Sequence, residues 1–76
     1  MEPHRIEEFY SLLWRAALQD RTAETAADVA KEADATRQRR SADLMWRIVR
    51  RCRVRALQLR AQAEVCRASP KDRRHG

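Results

Sequence analysis

The side chains with the greatest chemical reach in this sequence are its arginines. Arg37, Arg39 and Arg40 are followed by Arg47, Arg50, Arg51, Arg53 and Arg55, eight guanidinium groups within nineteen residues. Each is permanently charged and carries a planar fork of N–H donors that matches phosphate or carboxylate oxygens two at a time. Spread over about five helical turns, such a set would contact several phosphates across an RNA groove or along a DNA backbone. The run therefore predicts a polyanion as ligand, RNA or DNA, with an acidic protein surface as the alternative. Trp46, inside the run, could stack on a base, but its place beside a heptad seam favours the core.

Other reactive groups are sparse and badly spaced for chemistry. Cys52 and Cys66 lie fourteen residues apart, roughly 21 Å along a helix and far beyond the ~7 Å reach of a disulfide. They read as small reduced core residues, which favours a soluble protein of a reducing intracellular compartment. His4 and His75 stand near opposite ends with no partner at ligand spacing, so no metal site is expected. Ser11, Ser41 and Ser69 have no histidine base beside them, and the carboxylates recur at helical intervals rather than as a converging pair. No enzyme activity, cofactor or small-molecule substrate is expected. A single glycine in 76 residues cannot supply the turns of a barrel or sandwich or a phosphate-cradling loop. No apolar run approaches the ~20 residues of a transmembrane helix. The acidic, aromatic first fifteen residues do not resemble a signal or transit peptide.

The arginines belong to a lopsided charge pattern. Residues 1–36 carry four basic and eight acidic side chains, a net of −4, whereas residues 37–76 carry thirteen basic and three acidic, a net of +10. If the two halves fold against each other, part of the excess is neutralised internally and a surplus faces outward. Asp20, Glu24, Asp28 and Glu32 form a column at four-residue steps that favours a cationic neighbour.

The elements that must position these groups are all helical. Between Pro3 and Pro70 there is neither proline nor glycine, and Ala, Arg, Leu, Gln and Glu dominate. The pattern predicts an all-α fold: a short N-terminal helix over about 4–19, an Ala-rich helix over about 22–37 and a long Arg-rich C-terminal helix over about 41–68. These would form a helical hairpin or a coiled-coil-type assembly within one small domain, 1–68. Residues 69–76 read as a disordered basic tail. The first helix begins behind Pro3 and presents Ile6, Phe9, Leu13 and Ala16, flanked by Tyr10, Leu12, Ala17 and Leu18. Near Asp20-Arg21-Thr22 the apolar phase slips, and Asp20 or Thr22 could cap a new helix whose seam would be Thr22, Ala26, Val29 and Ala33. Ser41 could cap the third, although 22–68 could also run as one bent helix.

The third segment holds the most regular feature. Met45, Val49, Cys52, Ala56, Leu59, Ala63 and Cys66 step by alternating fours and threes, an unbroken heptad seam that Ile48 widens on one side and Trp46 on the other. A first helix of fifteen residues cannot cover it, so the seam predicts a homo-oligomer or an obligate protein partner. In a parallel homodimer Cys52 would face its own copy. Val54, Leu57 and Val65 lie off the seam and imply a second neighbour.

One short stretch resembles a known motif class in composition only, and another resembles the signature of a family. The arginine run is similar in composition to the arginine-rich helical motifs of RNA-binding viral regulators. Leu13-Trp14-Arg15, within Ser11–Leu18, resembles the Leu-Tyr-Arg signature of the LYR family of small three-helix mitochondrial assembly factors and complex subunits. Trp replaces Tyr, and Phe9 is the sole phenylalanine, so none follows later in the chain. That likeness implies a structural subunit or assembly adaptor, the alternative to a nucleic-acid-binding or regulatory protein.

Overall fold

In the computed structural model, which describes residues 3–68, two long helices form an antiparallel hairpin. Helix α1 spans Pro3–Ala35 and α2 spans Arg39–Ala68, with residues 36–38 as the turn. The all-α hairpin expected from composition is present. The first two expected segments are continuous, however, and 22–68 is not one bent helix because the chain reverses at 36–38.

Why α1 runs through Asp20-Arg21-Thr22 is visible in its inner face. The phase of large apolar residues slips there, but the phase of small ones does not. Phe9, Leu12, Ala16, Gln19, Ala23, Ala26, Ala30 and Ala33 step by three and four without a break, and all are buried or half-buried. Thr22 does not cap; its Oγ1 donates to the Leu18 carbonyl at 3.0 Å, the back-bond of a threonine inside a helix. Ala23, Ala27 and Ala30 lie inside where Thr22 and Val29 had been expected, and Val29 remains 48% exposed.

The reversal uses a left-handed stop without glycine. Arg37 adopts φ 61°. Its N–H donates to the Asp34 carbonyl at 3.1 Å, and the N–H of Gln38 donates to the Ala33 carbonyl at 2.8 Å. These paired bonds satisfy carbonyls that the end of α1 would otherwise leave open. Helix α2 starts two residues before Ser41, with the Gln38 carbonyl accepting from Ala42 N–H at 2.9 Å.

Two clusters hold the helices together. Toward the open end, Leu12 and Ala16 of α1 pack with Ala56, Leu59 and Ala63 of α2, supported by Phe9, Leu13 and Cys66. Toward the turn, Ala23, Ala26 and Ala27 pack with Val49 and Cys52, supported by Trp46 and Ile48. The open end carries a reciprocal clasp: Arg5 Nη1 donates to the Cys66 carbonyl at 3.4 Å, and Cys66 Sγ donates to the Arg5 carbonyl at 3.6 Å. Among the described residues no helix is long and apolar enough to cross a membrane. The tail expected at 69–76 lies outside the described residues.

Candidate polyanion-binding face

The inner register of α2 decides where each arginine points. Ala42, Val49, Ala56 and Ala63 recur every seven residues beneath α1 and are at most 2% exposed. Arg40 and Arg47 sit opposite that line, on the outer face. Arg50 and Arg51 flank them, while Arg39 and Arg53 lean toward one edge and Arg55 toward the other. All are exposed except Arg55, which is half-buried. Arg37 is placed apart, in the turn. The outer face of α2 from Arg39 to Arg53 is thus a basic band about 21 Å long at 1.5 Å per residue.

Asp43 is the single carboxylate within that stretch of α2, and it leaves the band strongly basic. Among the described residues none of these eight arginines forms an ion pair; the pairs present are Arg60 with Asp20 and Arg67 with Glu64. The Arg67–Glu64 contact is a 2.6 Å hydrogen bond one turn apart on α2, and it raises the guanidinium pKa above its ordinary value. The acidic column fails to reach the band for a geometric reason. Residues four apart on an α-helix advance by about 40° around it. Asp20, at the edge facing α2, meets Arg60, but Glu24, Asp28 and Glu32 wind progressively onto the outer side of α1 and are exposed. Helix α1 carries four basic and seven acidic side chains, a net of −3. Helix α2 carries nine and two, a net of +7.

The expected association seam lies elsewhere than on the surface. Val49, Cys52, Ala56, Leu59 and Ala63 are buried against α1, and Met45, Ile48 and Cys66 are half-buried. The expectation that another chain must cover these residues rested on a first helix of fifteen residues, whereas α1 has 33 and covers the seam itself. Cys52 is 8% exposed beneath α1, and it and Cys66 are free thiols. Trp46 is half-buried, and its Nε1 donates to Asp34 Oδ2 at 3.1 Å across the helix pair. It staples the hairpin near the turn, and Asp34 is the partner that sequence spacing alone had not suggested.

Large apolar side chains nevertheless remain outside. Ile6, Tyr10, Trp14 and Leu18 form one line along α1, and Leu44, Val54, Leu57 and Val65 dot α2; these are 40% to 66% exposed. The off-seam residues Val54, Leu57 and Val65 had signalled this, and the structure leaves them uncovered. Trp14, the centre of the Leu-Trp-Arg stretch, is 63% exposed on a two-helix chain.

The fold defines an antiparallel helical hairpin with one basic and one acidic helix. No family model, curated protein or solved structure matches the chain.

Proposed function

We propose that this protein binds nucleic acid through the outer face of α2, as a small non-enzymatic binding or regulatory protein. The observation that carries the reading is the unpaired state of Arg39, Arg40, Arg47, Arg50, Arg51 and Arg53 along the outer side of α2, where six guanidinium groups stand against the single carboxylate of Asp43 and the acidic column of α1 is turned away. Guanidinium groups kept in water next to one another repel, and a phosphate backbone relieves that repulsion while releasing its condensed counterions. Trp46, the aromatic side chain within the run, is engaged with Asp34 rather than presented for stacking on a base. The reading therefore rests on contacts to backbone phosphates.

Binding to a duplex of about 20 base pairs should weaken steeply with salt, with a log–log slope near −4 to −5 if about five phosphates are contacted, at ~0.9 per phosphate. Replacing Arg40, Arg47, Arg50 and Arg51 together by Gln should remove most of that slope while leaving helicity unchanged. Absence of binding at low ionic strength would end the proposal.

The exposed apolar residues of α2 favour a second reading, a subunit or adaptor that docks this helix on an acidic protein. In that case affinity should depend on Leu57 and Val54 as much as on the arginines.

A further inference from the structure

The outward line on α1 reads nearly the same in both directions. Ile6, Tyr10, Trp14 and Leu18 are spaced by four, aliphatic at each end and aromatic in the middle, and they are 40%, 62%, 63% and 43% exposed. Beside that line runs a second, Glu7, Ser11 and Arg15, also at four-residue steps and exposed throughout, with opposite charges at its two ends. Neither Glu7 nor Arg15 has an ion-pair partner among the described residues.

We propose that this ridge is an isologous interface at which a second copy of the chain docks antiparallel, α1 against α1. A two-fold axis passing between Tyr10 and Trp14 sets Tyr10 opposite Trp14 of the partner copy and Ile6 opposite Leu18. The same rotation sets Glu7 near Arg15 of the partner copy, twice. A two-fold contact requires a surface complementary to itself, and this ridge is complementary in both shape class and charge. Rows of residues four apart are the ridges that interdigitate in the commonest helix-packing class, with axes crossing near −50°.

Three further observations select this occupant and this face. The four side chains leave on the order of 400 Å² of apolar surface in one strip, the range in which the largest patch on a monomer is commonly functional. With the neighbouring Glu7, Ser11 and Arg15 it reaches the lower end of specific interfaces. The Tyr10 ring is held in place, meeting Phe9 edge to face with centroids 5.2 Å apart while Phe9 packs on the core. Finally, residues 3–19 carry two basic and two acidic side chains, a net of zero, against +7 on α2. Docking through α1 places the two basic helices on opposite outsides of the dimer, about 25 Å apart at 8–10 Å per helix pair, well beyond the ~8 Å screening length. Docking through Leu57 and Val65 would bring them together.

Sedimentation equilibrium of the full chain from 1 to 500 µM tests this. The expected result is a monomer–dimer equilibrium with a midpoint in the tens of micromolar, weakened at least tenfold by Trp14→Glu and left within twofold by Leu57→Glu. Circular dichroism should show hairpin helicity unchanged in both variants, because both positions face outward. Glu7→Arg and Arg15→Glu should each weaken dimerisation, and the double variant should recover most of the loss. A monomer throughout the range overturns the proposal, including one that responds only to added lipid vesicles or to another protein. A dimer sensitive to Leu57→Glu but not to Trp14→Glu overturns the face, and failure of the double variant to recover overturns the antiparallel register.

Discussion

The two halves of the hairpin solve the same packing problem with different residues. Near the turn the α1 side of the seam is built of alanine, with Ala23, Ala26 and Ala27 packed on Val49 and Cys52 and supported by Trp46 and Ile48, and the outside is charged apart from Val29 and Leu44. Near the open end the seam holds Phe9, Leu12, Leu13 and Leu59, and the outside is apolar, with Ile6, Tyr10, Trp14, Leu18, Val54, Leu57 and Val65 all uncovered. Alanine lets two helix backbones approach closely but buries little area per residue, so cohesion there depends on close fit. Leucine and phenylalanine bury far more area and tolerate a wider spacing. The turn half presents charge over an α1 face of small residues, whereas the open half packs leucine from both helices with Phe9 of α1 and has apolar surface left over. The proposed functions follow this division: a basic band on the turn half of α2, a self-complementary ridge on the open half of α1.

The largest effect that would test the division is the loss of a large buried side chain. Leu59 is 1% exposed and packs with Leu12, Ala16, Ala56 and Ala63. Leu59→Ala should cost about 2–5 kcal/mol, and in a single small domain this should unfold most of the chain near physiological temperature. Chemical denaturation of the variant against the parent measures it. A loss below about 1 kcal/mol would mean that the leucine packing of the open half contributes little to holding the hairpin.

The complementary change is made near the turn. Ala30 is fully buried, at 0% exposure, in the alanine row of α1. Ala30→Leu adds three carbons where the seam has no room, so it should destabilise by about 1–3 kcal/mol although it adds apolar surface. The same substitution at an exposed alanine such as Ala17 should be close to neutral. If Ala30→Leu stabilised the protein, the alanine seam would be loosely rather than tightly packed.

This division explains what could be read from the residues alone. Helical content and the α2 seam were legible because Met45, Val49, Cys52 and Leu59 mark the heptad with large side chains and no breaker interrupts them. The continuity of α1 was hidden because alanine is both a favourable helix former and the seam residue, so its periodicity looks like composition. Asp20 and Thr22 have the residue types of caps, and tertiary packing overrode that local preference. From this one misplacement came the expectation that the seam needed another chain. The arginine band was legible as a charge run, but its separation from the acidic column depended on the winding of that column, which emerges only when α1 is continuous through Asp20–Glu32. The outward ridge was visible as a broad apolar face. Its division into an inner row through Phe9 and Leu13 and an outer row through Tyr10 and Trp14 required knowing where α2 lies.

The turn itself offers the smallest effect and the one that separates stability from binding. Arg37 holds φ 61°, where a side chain with a Cβ crowds the following carbonyl at a cost of about 1–2 kcal/mol. Glycine removes that crowding but adds freedom to the unfolded chain worth about 0.4–1 kcal/mol in the opposite direction. The net for Arg37→Gly is a stabilisation of about 0.5–1 kcal/mol, a rise of roughly 2–8 °C in Tm for a domain of this size. Arg37→Asn should lie between the two, because asparagine tolerates the left-handed region, and Arg37→Val should fall below the parent because β-branching does not. Since Arg37 stands off the band of Arg39–Arg53, these variants should alter the salt slope of nucleic-acid binding by at most about one phosphate. A parent more stable than Arg37→Gly would show that the arginine side chain makes compensating contacts at the turn, and a large loss of binding would extend the polyanion face around the end of the hairpin.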